Sequence, residues 1–224
     1  MKDQILRLLE RSDYAPADPA GLLRKLRLPP RRLPELQQVL DELEHAGRVA
    51  RIKDNHYVQP RSADLVPGRI RMNRAGKGFV VPDDPGLPEI AIPESGCGTA
   101  LHEDRVLVRR NVSPAGVRRG PAGPVTGVVL RVLERRRTRM VGTLQRSARF
   151  LFVVPDDPRM PHDIYVPEPR DVGRPARIGD KVVVELREWI SRTTNPEGEV
   201  VEVLGAPDAE GVDMLSVLRQ YDLP

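Results

Sequence analysis

The string Phe-Val-Val-Pro-Asp-Asp-Pro occurs twice in this chain, at 79–85 and again 73 positions later at 152–158. No other feature restricts the fold as tightly, because an identical string in similar flanks calls for two copies of one unit. The flanks agree. Residues 89–93 (Glu-Ile-Ala-Ile-Pro) match 163–167 (Asp-Ile-Tyr-Val-Pro), 103–108 match 179–184, and 129–133 match 200–204. Each copy opens on a glycine, Gly68 or Gly142, that leads a short apolar run. The spacing is too long for a solenoid repeat and suits a domain duplication. Within each copy, five β-branched runs separated by breakers predict five short strands. A strand set of about 70 residues buries a core only by closing on itself, so each copy predicts a five-stranded barrel. The two barrels are assigned to 65–135 and 136–206, with 207–224 as a tail.

Residues 1–60 follow another period. Ile5, Leu8 and Leu9 mark one face of an opening helix. Asp18 and Pro19 read as N-cap and first residue of a second helix carrying Leu22, Leu23 and Leu26, which Pro29 and Pro30 stop. Pro34 starts a third, with Leu36, Val39, Leu40, Leu43 and Ala46 at helical spacing and Gly47 as its C-terminal stop. Two short strands at 48–52 and 56–58 then flank a turn at Lys53, Asp54 and Asn55. Three helices closed by a hairpin predict a winged helix-turn-helix. The fold class expected for the whole is therefore mainly β, with an α domain at the N-terminus.

A winged helix-turn-helix ordinarily reads DNA through its last helix. Here that helix carries Glu35, Asp41, Glu42 and Glu44 and no basic residue after Pro34, so phosphates would repel it. The cations lie in 24–32 and in the wing at Arg48, Arg51 and Lys53, where they suit backbone contact without sequence readout. The steepest charge excess is at 105–139, with ten arginines against the single acid Glu134. Two readings are open for it, a linker kept soluble by charge or an arginine-rich contact for a polyanion. Planar guanidinium groups favour the second, since they match phosphate oxygens.

Aromatic residues are scarce, so each must be accounted for. Phe150 and Phe152 are two apart on one predicted strand and share a face, and Tyr165 lies on the next strand. These rings either fill the barrel or form an outward platform for stacked bases. Arg146 and Arg149 beside them favour the outward reading, because arginine is rarely buried. The first barrel has Lys77 where the second has Phe150, and Ala91 where it has Tyr165. Phe79 remains, among Arg69, Arg71, Arg74 and Lys77, so that barrel is expected to hold phosphates more than to stack bases. Arg135, Arg136 and Arg137 complete the predicted contact set.

Other chemistries find little support. The pairs Asp83-Asp84 and Asp156-Asp157 sit between prolines, where aspartate caps turns. His45, His56, His102 and His162 show no metal-ligand spacing, and Cys97 is the lone cysteine, in keeping with a reducing compartment. No phosphate loop or nucleophile elbow is present. Trp189, in a predicted strand at 182–190, is read as core. No apolar run approaches the ~20 residues of a membrane span. A cytoplasmic, monomeric protein without catalytic residues or cofactor of its own is expected.

At this point the residues resemble a known family. Residues 76–85 (Gly-Lys-Gly-Phe-Val-Val-Pro-Asp-Asp-Pro) and 149–158 (Arg-Phe-Leu-Phe-Val-Val-Pro-Asp-Asp-Pro) are similar to the first nucleic-acid motif of cold-shock domains. Residues 89–93 and 163–167 are similar to the second. Winged helix, cold-shock domain and second cold-shock domain, in that order, resemble the N-terminal region of the ribonuclease R family in the ribonuclease II superfamily, and 214–224 resemble its entry into a catalytic domain. The resemblance spans nearly the whole chain. It implies OB-fold (cold-shock) barrels, base stacking by Phe150, Phe152, Tyr165 and Phe79, and single-stranded RNA as partner. It also implies delivery of RNA to a processive 3′-to-5′ exoribonuclease whose Mg2+ and aspartates lie in a domain beyond these residues, with the winged helix serving structured RNA or a protein partner. Two departures stand out. Pro93 and Pro167 occupy positions where cold-shock proteins carry histidine, and the first barrel lacks most of the aromatics. A freestanding RNA-binding regulator or chaperone and a DNA-binding transcription factor are the alternative readings.

Overall fold

A computed structural model describes residues 1–11, 13–111, 124–170, 172–221 and 223. Arg118 and Arg119 of the arginine-rich stretch lie outside the described residues.

The N-terminal region is helical. Helix α1 (Lys2–Leu9) buries Ile5 and Leu9, with Leu8 half-buried. Helix α2 (Pro19–Lys25) starts where Asp18 accepts the Gly21 amide at 2.8 Å, which satisfies one of its free N–H groups. It stops before the two prolines, because Arg27 already turns to a positive φ of 54°. The prolines instead lead through a 3-10 turn (Pro30–Arg32) into α3 (Leu33–His45), which buries Leu36, Leu40 and Leu43. Past α3, Gly47 takes a φ of 68°, and the amides of Gly47 and Arg48 reach back to the Glu44 and Leu43 carbonyls at 3.0 and 2.8 Å. Strands β1 (Ala50–Arg51) and β2 (Tyr57–Val58) pair antiparallel around the turn at 53–55.

The duplicated string builds two sheets with the same plan. The first contains β3 (Leu65–Met72), β4 (Gly78–Pro82), β5 (Ile90–Ile92), β6 (Arg105–Arg110) and β7 (Gly127–Glu134), in the order β5-β4-β3-β6-β7. The second contains β8 (Arg139–Arg146), β9 (Leu151–Pro155), β10 (Ile164–Val166), β11 (Lys181–Leu186) and β12 (Gly198–Gly205), in the order β10-β9-β8-β11-β12. All of these neighbours are antiparallel. Edge meets edge through one parallel bridge in each sheet, Ala91 to Thr126 and Tyr165 to Glu197, so each sheet curls toward closure and leaves little open edge. Register irregularities fall at equivalent places, between Leu107 and Val108 and between Val183 and Val184, where an extra residue bends the strand.

Strand alternation then decides which residues face the core. Val80 and Val153 are fully buried, whereas their neighbours Phe79, Val81 and Val154 are exposed. The first core gathers Val66, Ile70, Val80, Ile90, Val106 and Val108, and burying each such side chain stabilises by about 1.5–3 kcal/mol. The opening glycines have a steric cause. A Cβ on Gly68 would stand 2.4 Å from the Val81 carbonyl oxygen, and one on Gly142 would meet the Val154 oxygen at the same 2.4 Å.

The units are joined by contacts that the repeat alone does not contain. Leu133 of β7 packs over Gly47, and Arg105 donates to the Ala46 carbonyl at 3.4 Å, which seats the helical region on the first barrel. Leu101, from the connection before β6, enters the core of the second barrel beside Leu144, Met160 and Trp189. Trp189 is buried as expected but not on a strand. Strand β11 ends at Leu186, and the indole N–H donates to the Thr194 carbonyl at 2.9 Å across a loop. A last helix, α4 (Val212–Gln220), covers Val141, Val183 and Leu204 through Val212. Among the described residues no helix is long and apolar enough to cross a membrane.

Candidate nucleic-acid interface

Phe150, Phe152 and Tyr165 of the second barrel gather on its outer surface. Phe152 lies on β9 directly opposite Tyr165 on β10, so both rings leave the sheet on one side. Phe150 precedes β9 by one residue rather than lying on it, yet its ring centroid comes within 6.1 Å of Phe152 and 4.8 Å of Tyr165. Phe150 is 47% exposed and Tyr165 38%, large values for rings of this size. The interior reading of the rings therefore does not hold. The cause lies in strand parity: Leu151 and Val153 take the inward positions, which leaves Phe150 and Phe152 outside.

Cations border the cluster. Arg149 is exposed in the turn between β8 and β9, and Arg146 at the end of β8 meets Glu168 at 3.2 Å while staying largely in solvent. An exposed pair of this kind is weak, so the Arg146 guanidinium can turn toward a phosphate at small cost.

The first barrel presents the same row with other chemistry. Arg71, Phe79 and Ala91 stand opposite one another across β3, β4 and β5, just as Gln145, Phe152 and Tyr165 do across β8, β9 and β10. Phe79 is 38% exposed, and among the described residues no second ring is paired with it. Arg74 and Lys77 are exposed in the β3–β4 turn, which the Asn73 carboxamide holds by accepting the Ala75 and Lys77 amides at 2.9 and 3.0 Å. Gly76 takes a φ of 73° in that turn. Arg71 lies 3.9 Å from Glu103, a loose contact that leaves it mostly in solvent.

The run at 135–137 departs from the sequence reading. It sits in the connection between β7 and β8. The Arg135 guanidinium is committed to Asp104 at 2.6 Å and to the Thr99 carbonyl at 2.7 Å. Asp104 is wholly buried and also accepts the amides of Leu101 and Arg136 at 2.8 and 3.0 Å. Burial raises its carboxyl pKa, and the Arg135 charge works against that rise. An arginine serving a buried carboxylate cannot leave it for RNA without exposing that charge to an apolar core. Arg137 lies over the Tyr221 ring at 5.1 Å, and of the three only Arg136 is exposed. Sequence reading missed Asp104 because its burial arises only when the connection at 99–104 folds under Arg135.

The paired aspartates act locally. Asp83 meets Arg105 at 2.7 Å and Asp156 meets Lys181 at 2.6 Å, one ion pair in each copy at the same place. Asp84 accepts the Gly86 amide, and Asp157 holds Arg159 through backbone and side chain. Among the described residues no group of three or more His, Cys, Asp or Glu could hold a metal ion. Cys97 is buried, and burial raises its thiol pKa.

His102 lies at the junction of the barrels and accepts the Met72 amide on Nδ1 at 3.0 Å, which fixes a neutral ring. Burial lowers its pKa, with Arg159 adding to the fall and Glu103 and Asp157 opposing it. A lowered folded pKa means that the unfolded chain binds the extra proton first. Stability is thus complete above the ordinary histidine value of about 6.5 and declines as pH falls toward the depressed folded value. Urea midpoints at about pH 7.5 and 5.5 should drop more for the wild type than for His102→Gln, whose amide oxygen can still accept from Met72. Equal drops would remove His102 from this account.

Outward rings bordered by arginines on small closed antiparallel sheets define an oligonucleotide-binding protein of the OB/cold-shock class. A cold shock domain model matches residues 152–224, and a ribonuclease B OB domain model matches residues 68–123. Ribonuclease R of Thermotoga maritima is 36% identical over the whole chain, and that of Escherichia coli K12 is 32% identical over 86% of it. The chain spans 30% and 23% of the length of these two relatives. Among solved structures, Mycoplasma genitalium RNase R in complex with ribose methylated single-stranded RNA superposes with a TM-score of 0.59 at 18% identity, over 71% of this chain and 24% of that one. The yeast pseudonuclease Ssd1 gives 0.58 at 21% identity, over 88% and 27%. The chain belongs to the ribonuclease R family, whose N-terminal OB/cold-shock region it matches.

Proposed function

We infer that this chain is the module that binds single-stranded RNA and delivers it in a ribonuclease R-type 3′-to-5′ exoribonuclease. The observation that carries this reading is the exposed cluster of Phe150, Phe152 and Tyr165 beside Arg146 and Arg149. Three rings on an outer surface accept unpaired bases of any sequence, whereas a duplex keeps its base faces stacked inside. A ring pair 4.8 Å apart is already in contact, so bases stack over Phe150 and Tyr165 rather than between them. In this reading the first barrel adds phosphate contacts through Arg71, Arg74 and Lys77, with Phe79 as a single stacking ring.

The helical region is, in the same reading, a winged helix with β1 and β2 as its wing, available to structured RNA or a protein partner. Its acidic third helix argues against DNA readout. Glu35 pairs with Arg32, Glu42 with Lys2, and Glu44 with the wing residue Arg51, so the cations nearest that helix are already engaged. The Mg2+ that the family implies does not fit here, because the carboxylates described above are committed to turns and ion pairs. No hydrolytic step is assigned to these residues.

Two measurements test the reading. Unlabelled single-stranded RNA should displace a labelled single-stranded RNA probe, and duplex DNA at equal nucleotide concentration should not. The logarithm of affinity should fall linearly with that of salt, by about 0.7 per phosphate neutralised. Arg149→Glu should flatten that slope by about 0.7 for every RNA alike. Displacement by duplex DNA would return the helical region to the role of a DNA reader.

A further inference from the structure

Contacts between the barrels link the ends of the two outer rows. The row Arg71–Phe79–Ala91 finishes on β5. Three residues further along the chain, Glu94 binds Arg192 of the second barrel, at 2.8 Å through its carboxylate and again through its carbonyl. The loop carrying Arg192 runs on to Pro196, whose carbonyl accepts the Tyr165 amide at 2.9 Å. Tyr165 ends the row Gln145–Phe152–Tyr165. Glu94 also packs beneath Gly76, in the turn that carries Arg74 and Lys77. Gly76 and Arg192 line a small cavity together with His162 and Trp189, whose rings meet edge to face at 5.1 Å. Leu101, buried in the second core, limits rotation at this junction.

We propose that the Arg192–Glu94 contact is a lock that holds the two barrels in the alignment they need to bind one polynucleotide strand together. This rests on the RNA-binding reading and deepens it. Such a strand meets the phosphate contacts of Arg74 and Lys77 and the stacking rings of the second barrel. Two weak sites in fixed alignment act as one strong site, because binding at the first holds the strand at high local concentration over the second. The advantage vanishes once the linkage lets the sites turn out of line. Arg192 is thus a positioning residue.

Oligonucleotide length separates the possibilities. An RNA of about 5 nucleotides reaches one barrel, and one of about 16 reaches both. In the wild type the longer RNA should bind about a hundredfold more tightly, well beyond the roughly twelvefold that the extra registers of a five-nucleotide site supply. Arg192→Ser should leave the short RNA unaffected and reduce the gain for the long one to that register effect. The exchanged pair Glu94→Arg with Arg192→Glu should restore the gain, which a role in folding alone would not produce. A wild type with no gain beyond registers, an Arg192→Ser protein that keeps its full gain, or an exchanged pair that fails to recover it overturns the proposal. Failure of the underlying RNA-binding reading looks different, since the short RNA would then not bind at all.

Discussion

Replacing Phe150 and Phe152 together with alanine is expected to weaken binding of single-stranded RNA by about ten- to a hundredfold, with the melting temperature nearly unchanged. Base stacking on an aromatic ring contributes about 1–3 kcal/mol per base, and each factor of ten in affinity is about 1.4 kcal/mol. Phe150 and Phe152 contribute two of the three rings in contact, so their loss leaves Tyr165 without its neighbour at 4.8 Å. Stability should change little, because the inward positions of this strand belong to Leu151 and Val153, which the substitutions do not touch. Fluorescence anisotropy with a labelled RNA and a thermal melt on the same sample make the comparison. Unchanged affinity would end the stacking platform, whereas a collapsed melt would show that the rings serve the fold.

The second large effect concerns stability. Arg135→Leu should destabilise the chain by about 3 kcal/mol, the lower end of the range for breaking a buried ion pair from one side. The lower end applies because Asp104 keeps the amides of Leu101 and Arg136 as donors after Arg135 is lost. The loss should also depend on pH. Burial raises the Asp104 pKa in the folded protein, and without Arg135 the rise is unopposed. The folded state then binds a proton that the unfolded state, near 3.9, has already released. Relative to wild type, the variant therefore regains stability as pH falls through the raised folded value toward about 3.9. Urea unfolding at neutral and mildly acidic pH measures both effects. A variant with wild-type stability and poor RNA binding would restore Arg135 to the contact surface, where its place in an arginine-rich run first puts it.

That residue marks where sequence reasoning stopped. The run at 135–137 looks uniform, and charge density alone treats its members alike. In the folded protein one is bound to a buried carboxylate 31 positions earlier, one lies over a tyrosine ring of the tail and one is exposed. The helix stop at Arg27 was similarly hidden, since a positive φ at arginine has no local signature to compete with the prolines that follow. Trp189 was legible as core from its apolar surroundings, but its loop position was not, because the hydrogen bond that holds it to Thr194 forms across a turn without strand partners.

The sequence by itself determined that one five-stranded unit occurs twice and which runs build its strands. This follows from β-branched runs between breakers and from the duplicated string, both local properties of the chain. Only the tertiary structure decided how the rings converge, which arginines remain free for a ligand, and how one barrel is set against the other. Those outcomes depend on contacts between residues far apart in the chain, such as Leu101 in the second core and Arg192 on Glu94. A charge or ring in sequence carries no record of the partner it will meet, so its availability is settled only when the units pack.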